Sequence, residues 1–266
     1  MRVWGTPNDE VNLSEDQKRE LLCEIGRRCW QKGFVEANGG NISCRLDQNR
    51  VLASPTFISK GQMTPDDLVV VDLDGNQISG FRKKTSELLV HLTVYKHKPE
   101  AQAVVHTHPP STTAFAITGQ PIPKCILPEA EVIVGEVPMT AYLTPGTQDL
   151  ANLLIPLIPQ FWAYLLANHG LVAAGTGLIE AYWRTEIIEA YCTTIIQAKH
   201  LGELTPVGAR FMQELLQLKE KLGIYDRRSK DPIAARCDVP PPMPGDINAD
   251  FIAAVVREVL KELESR

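Results

Sequence analysis

The stretch AVVHTHPPS at 103–111 sets two histidines one residue apart at the end of an apolar run, with two prolines behind them. In a β-strand residues i and i+2 project from one face, so His106 and His108 would present their imidazoles together. On a helix they would stand about 200° apart. Paired imidazoles suit a borderline cation such as Zn²⁺. An isolated His-x-His also reads as a core histidine beside a surface one. A third histidine, His169 in ANHGLVA, likewise ends an apolar strand, next to a glycine that permits an unusual backbone. Three histidines at two strand ends match a catalytic zinc site that keeps one coordination position for substrate.

Glu87 follows RKKTS in the first turn of a predicted helix, where the free N–H groups of 85–88 favour an anion. Two readings stand. Thr85 caps the helix and Glu87 complements its dipole, or Thr85 and Ser86 bind a phosphate while Glu87 faces a metal as ligand or base. His91, one turn on, reads as structural. The loop ANGGNIS (37–43) can turn its N–H groups towards an anion, and ASPTFISKG (53–61) supplies hydroxyls and Lys60; each is also an ordinary turn.

The elements that must position these residues are legible in part. A helix is predicted over 13–33, started by the Ser14/Gln17 capping box and stopped by Gly33. Short strands follow in NISCRL, RVLAS and LVVVDLDGNQIS, the last turning at Asp74–Gly75. A helix over 85–99, the strand AVVHTH, and a short helix capped by Ser111 and ended by Gly119 come next. Further on are a helix from Thr147, a strand through YLLANHGLVAAG interrupted at Gly170, and helices near 178–201 and 207–222. Strands and helices alternate without a βαβ rhythm, which predicts a three-layer α/β/α sandwich around a mixed or antiparallel sheet.

The 266 residues are 44% hydrophobic and 22% charged, with a net charge of −5. A sizeable core is affordable, and the acidic balance argues against nucleic-acid or anionic-membrane partners. The first residues lack the basic end and apolar core of a secretory signal, and no apolar run is long enough to span a bilayer. The six cysteines show no Cys-x-x-Cys spacing and are expected to be reduced thiols in a cytoplasmic protein.

Taken in order, GGNIS, SPTFISKGQMTPDDLVVVD, KKTSELLVHLTVYKHKPEAQAVVHTHPP, TPGT and LLANHGLVAAG resemble the class II aldolase/adducin family over about residues 14–204. That family includes sugar-phosphate aldolases, 4-epimerases, a dehydratase and the non-catalytic adducin head. The resemblance implies an α/β/α fold, a homotetramer with sites at subunit interfaces, a small sugar-phosphate substrate and a Zn²⁺ cofactor. Carried over by residue, it makes His106, His108 and His169 the zinc ligands. Glu87 becomes the acid/base and a further ligand, and Asn38, Asn41, Thr56, Thr85 and Ser86 hold the phosphate. Tyr225 would be a C-terminal catalytic tyrosine serving a neighbouring subunit. The implied reaction is cleavage of L-fuculose or L-rhamnulose 1-phosphate to dihydroxyacetone phosphate and L-lactaldehyde, with epimerase, dehydratase and adducin-like binding module as alternatives. Departures are Phe57, where many relatives carry glycine, and Leu127, where the fuculose-phosphate aldolases carry tyrosine. The nearby PEAE offers Glu129 and Glu131; epimerases carry an acid near Glu131 but Asp in place of Glu87, which favours the aldolase.

Three segments are expected: a catalytic domain over 1–228, a proline-rich linker over 229–248 and an amphipathic helix over 249–266. The last either packs on the body or resembles the encapsulation peptides that recruit enzymes to shell proteins of bacterial microcompartments.

Overall fold

The computed structural model describes residues 6–10, 12–231 and 234–237. Helix α1, Glu15–Gln31, begins with the expected reciprocal cap: the Gln17 N–H donates to the Ser14 hydroxyl, and the Ser14 N–H donates to the Gln17 side chain. Strands β1 (Asn41–Arg45), β2 (Arg50–Ala53), β3 (Val69–Asp72) and β4 (Gln77–Ser79) then form an antiparallel meander. Helix α2 (Leu88–His97) leads to β5 (Ala103–Thr107), which leaves the meander and pairs back onto β1. After α3 (Pro110–Thr118), α4 (Pro128–Ile133), β6 (Met139–Thr140) and α5 (Gln148–Leu154) come β7 (Ala163–Leu166) and β8 (Gly170–Gly175). Helices α6 (Leu178–Leu201) and α7 (Ala209–Lys221) follow.

The eight strands lie in the order β4-β3-β2-β1-β5-β8-β7-β6. Only β6–β7 is parallel, so the sheet is mixed, as expected. Alternation along the strands builds two cores. Val51, Ala53, Val69, Val71 and Val104 pack under α2 and α5. Their neighbours Ile42, Leu52, Val70, Ala103 and Val105 pack under α1 and the start of α6. A period of two facing helices on both sides is the three-layer α/β/α sandwich.

Two helix starts differ from expectation. Helix α3 is capped by Pro109, with Pro110 at its first position, and Ser111 lies inside it. The Ser111 and Thr112 N–H groups donate to the Glu189 carboxylate of α6, at 2.9 and 2.8 Å. Proline presets the first turn, and a long-range carboxylate does the work assigned to a local hydroxyl. Helix α2 starts at Leu88 with Glu87 at the cap position, and Thr85 Oγ1 accepts only from the Glu87 N–H at 3.3 Å. Thr85 therefore does not cap the helix.

The C-terminal segment is fastened to the body. Cys125 and Cys237 form a disulfide across 112 residues, with Cα atoms 5.6 Å apart, where six free thiols were expected. Cys23, Cys29, Cys44 and Cys192 are free and buried. No local spacing could announce the pair, because the return of residues 207–237 to residue 125 makes it: the Val207 N–H donates to the Cys125 carbonyl, and Lys124 Nζ to the Ala234 carbonyl. The chain is thus still packed at 234–237, inside the segment expected as linker; the remainder of that linker and the helix over 249–266 lie outside the described residues.

Beside the disulfide, Arg228 is wholly buried between Asp226 and Glu131, at 2.8 and 2.6 Å, and Lys219 pairs with Asp226 at 2.7 Å. Burial alone would raise the Asp226 pKa, but Arg228 and Lys219 hold it well below the usual range. A depressed carboxylate adds stability above its unfolded pKa of about 3.9 and loses it as pH falls towards the folded value. Arg228→Ala leaves two buried carboxylates short of their cation and should cost about 3–5 kcal/mol, read from urea unfolding at neutral pH.

Candidate metal centre

Strand β5 lies between β1 and β8, so His106 sits mid-sheet, opposite Asn41 on one side and Val172 on the other. Its Nδ1 is 2.9 Å from the Leu171 carbonyl oxygen. A carbonyl only accepts, so Nδ1 carries the proton and Nε2 keeps its lone pair. Burial, opposed by the Glu87 charge, pushes the His106 pKa well below its ordinary value, which keeps the ring neutral. His108, one residue beyond the strand, projects to the same side as the strand period requires. His169 arrives in the turn between β7 and β8.

Their Nε2 atoms converge: 3.2 Å from His106 to His169 and 3.3 Å from His106 to His108. All three lie within 4.8 Å of one another. Nitrogen ligands on a tetrahedral Zn²⁺ stand roughly 3.3 Å apart, given Zn–N bonds of about 2.0–2.1 Å. Three imidazole nitrogens that meet at one point fit a cation, and the donor set fits zinc.

The turn explains its own residues. Asn168, not the glycine, takes the left-handed conformation (φ 55°). Gly170 is there for room: a Cβ would lie 2.5 Å from the Thr107 carbonyl oxygen and 2.7 Å from the His108 ring. Any side chain would push apart the strands that align the histidines.

Glu87 closes the fourth side, with Oε2 3.7 Å from His106 Nε2 and Oε1 3.5 Å from His169 Nε2. Burial alone would raise its pKa; the His169 hydrogen bond, the two neighbouring imidazoles and the Asn41 amide together hold it below the usual carboxylate range. Two orienting contacts were not foreseen. Asn41 Nδ2 donates to Glu87 Oε2 at 2.5 Å, and His108 Nδ1 lies 3.2 Å from Glu36 Oε1. Neither carries a local signal, because each depends on which strands become neighbours.

The expected phosphate residues come from three segments stitched at one end of the sheet. The Thr56 N–H donates to the Lys83 carbonyl, and Pro55 bridges Lys84, which brings Thr56 beside Thr85 and Ser86. The TPGT loop packs here too, since a Cβ on Gly146 would meet Ser86 Oγ at 2.9 Å. Asn41 is buried and turned to Glu87, whereas Asn38 is exposed. Lys60 is buried beneath this loop, donating to the Asn38 and Ile58 carbonyls at 3.1 and 2.9 Å, and burial lowers its pKa to about 8. Phe57 stands fully out to solvent in a left-handed conformation (φ 55°), the backbone that glycine takes more easily.

Tyr225 is not brought to the triad within one chain; it is half exposed and lines a separate hollow with Phe161, Trp162 and Arg227. Glu131 is buried in the Arg228 pair, so its role is structural, and Glu129 is exposed. No helix among the described residues is long and apolar enough to cross a membrane.

The model of the Class II Aldolase and Adducin N-terminal domain matches residues 20–196. The chain is 38% identical over 166 residues to an L-fuculose phosphate aldolase of Methanococcus maripaludis, covering 62% of this chain and 89% of that one. It is 35% identical over 181 residues to a 3-oxo-tetronate 4-phosphate decarboxylase of Haemophilus influenzae, covering 66% and 86%. Among solved structures, YgbL of Klebsiella pneumoniae, described as an aldolase, epimerase or decarboxylase, superposes with a TM-score of 0.71 at 35% identity, covering 77% of this chain and all of that one.

Proposed function

Because the chain belongs to the class II aldolase/adducin family, we propose that it is a metal-dependent lyase that breaks a C–C bond beside the carbonyl of a phosphorylated sugar. The preferred substrates are L-fuculose or L-rhamnulose 1-phosphate, cleaved to dihydroxyacetone phosphate and L-lactaldehyde. The convergence of three imidazole Nε2 atoms with Glu87 carries this reading; a binding module has no need of such a set.

The residues divide the work. His106, His108 and His169 would hold the zinc, which when bound supplies Lewis-acid polarisation of the carbonyl and charge stabilisation of the enediolate left by cleavage. Thr56, Thr85 and Ser86, with the Asn38–Asn41 loop, offer hydroxyl and amide groups to the phosphate. Glu87, held by Asn41, passes a proton taken up from solvent to the carbon that has lost its neighbour and is left as the carboxylate. His106 is buried within the sheet whereas His108 is part-exposed, so substrate would approach from the His108 side.

A second reading has its own support. Retro-aldol cleavage also needs a base for the proton of the leaving fragment's hydroxyl. Tyr225 is not at the triad of its own chain, and Leu127 is apolar. Loss of CO₂ from a 3-oxo acid 4-phosphate needs no such base, because the carboxylate leaves already deprotonated. It yields the same enediolate and, after protonation, the same dihydroxyacetone phosphate. Product analysis separates the two. The zinc-loaded protein is incubated with ketose 1-phosphates and with 3-oxo-tetronate 4-phosphate, and triose phosphate, aldehyde and CO₂ are assayed. Triose phosphate with lactaldehyde supports the aldolase; triose phosphate with CO₂ supports the decarboxylase; no triose phosphate from either class refutes the lyase.

A homotetramer completed by Tyr225 of an adjacent copy, and microcompartment recruitment through 249–266, are further parts of this proposal. Deletion of 239–266 should leave turnover and assembly unchanged while abolishing co-purification with shell proteins; loss of the oligomer instead would assign the segment to packing.

A further inference from the structure

One buried histidine remains without a part in the chemistry above. His91 of α2 is fully buried, and its Nδ1 lies 2.7 Å from Ser43 Oγ. The same Oγ is 2.8 Å from the Tyr95 hydroxyl. The protons along this chain can be counted. Among the described residues the Tyr95 hydroxyl meets no other acceptor, so it donates to Ser43, and Ser43 in turn donates to His91 Nδ1. The reverse direction would strand a buried phenol proton, at the cost of an unmade hydrogen bond. His91 Nδ1 is then an acceptor, and the ring proton sits on Nε2.

That Nε2 is buried without a partner, and so is Nδ1 of His169. His91, His169, Glu87 and His106 share one small hollow, about the size of a single water, whose other walls are the apolar side chains of Val90, Leu150, Leu166 and Val172. With His169 using Nε2 as ligand, its Nδ1 carries a proton as well. Two buried N–H groups at one water-sized space call for a shared acceptor, and metal-binding histidines nearly always give their second N–H to one.

We propose that His91 is a positioning residue for His169, acting through one buried water that accepts from His91 Nε2–H and His169 Nδ1–H, with Tyr95 and Ser43 fixing the tautomer this needs. The inference rests on the reading of His169 as a metal ligand. It makes α2 a two-sided support: Glu87 faces the centre directly, and His91, one turn on, orients a ligand from behind.

The test measures zinc affinity by chelator competition for wild type, His91→Leu, His91→Gln and Tyr95→Phe, with ¹H–¹⁵N spectra of the metal-free wild type to assign the His91 tautomer. His91→Leu should weaken zinc binding about 10–100-fold. His91→Gln, whose amide N–H extends towards the position of Nε2–H, should recover most of that loss, which a merely space-filling role would not predict. Tyr95→Phe should weaken binding less and mix the tautomers. The proposal is overturned if His91 carries its proton on Nδ1, if His91→Gln is no better than His91→Leu, or if His91→Leu binds zinc as wild type does. Should His91→Leu fail to fold, the tautomer and the other two variants decide. A wild type that binds no zinc refutes the metal reading itself; a wild type that binds it, with His91→Leu unaffected, refutes this inference alone.

Discussion

Glu87→Gln should fold, bind zinc and lose about 10²–10⁴-fold in turnover, the usual contribution of a positioned general acid or base. The substitution is nearly isosteric, and its carbonyl oxygen can still accept from Asn41 Nδ2. What it removes is the exchangeable proton and the negative charge 3.5–3.7 Å from His169 and His106. If Glu87 acts on the carbon freed by cleavage, kcat falls while KM for the phosphate ester changes little. The loss then belongs to the transition state rather than to binding. Since the three histidines remain, metal content should stay near that of wild type. A fully active Glu87→Gln would remove Glu87 from the mechanism, and a metal-free one would make it chiefly a ligand.

His106→Ala should lose both metal and turnover. His106 is the best anchored of the three histidines, wholly inside the sheet, with Nδ1 tied to the Leu171 carbonyl and Nε2 between the other two rings. Its removal takes away the nitrogen closest to both partners. His108 and His169 then offer two imidazoles, with only the Glu87 carboxylate, 3.5 Å from His169, to complete a set of protein ligands that has lost its central member. Zinc content by elemental analysis should fall from one per chain to near zero, with cooperative unfolding retained. Stoichiometric zinc in a folded His106→Ala would show that the metal is held elsewhere.

The reach of sequence reasoning follows the range of the interactions. The His106/His108 pair was legible because strand periodicity is local, and the capping box of α1 and the start of α5 at Thr147 for the same reason. The sandwich was legible from strands and helices that alternate without a βαβ rhythm, and β2, β3 and β5 carry apolar residues to both faces. What escaped lies across the sheet or across long loops. Asn41 was grouped with phosphate binders, yet β1 pairs with β5 and delivers its amide to Glu87. Gly170 drew attention for its backbone, whereas its value is the missing Cβ beside Thr107 and His108. Glu189 caps α3 from 77 residues away, and Cys237 reaches Cys125 only because the C-terminal segment folds back. None of these is a spacing; each is a neighbour chosen by topology.

The most direct test of the metal centre is a titration of metal-free protein with Zn²⁺ while triose-phosphate release is followed. Turnover should be absent at the start, rise linearly and break at one zinc per chain, with the three histidine rings shifting together in the NMR spectrum. Full turnover in the metal-free protein, or a break with no change at His106, His108 and His169, would contradict the account.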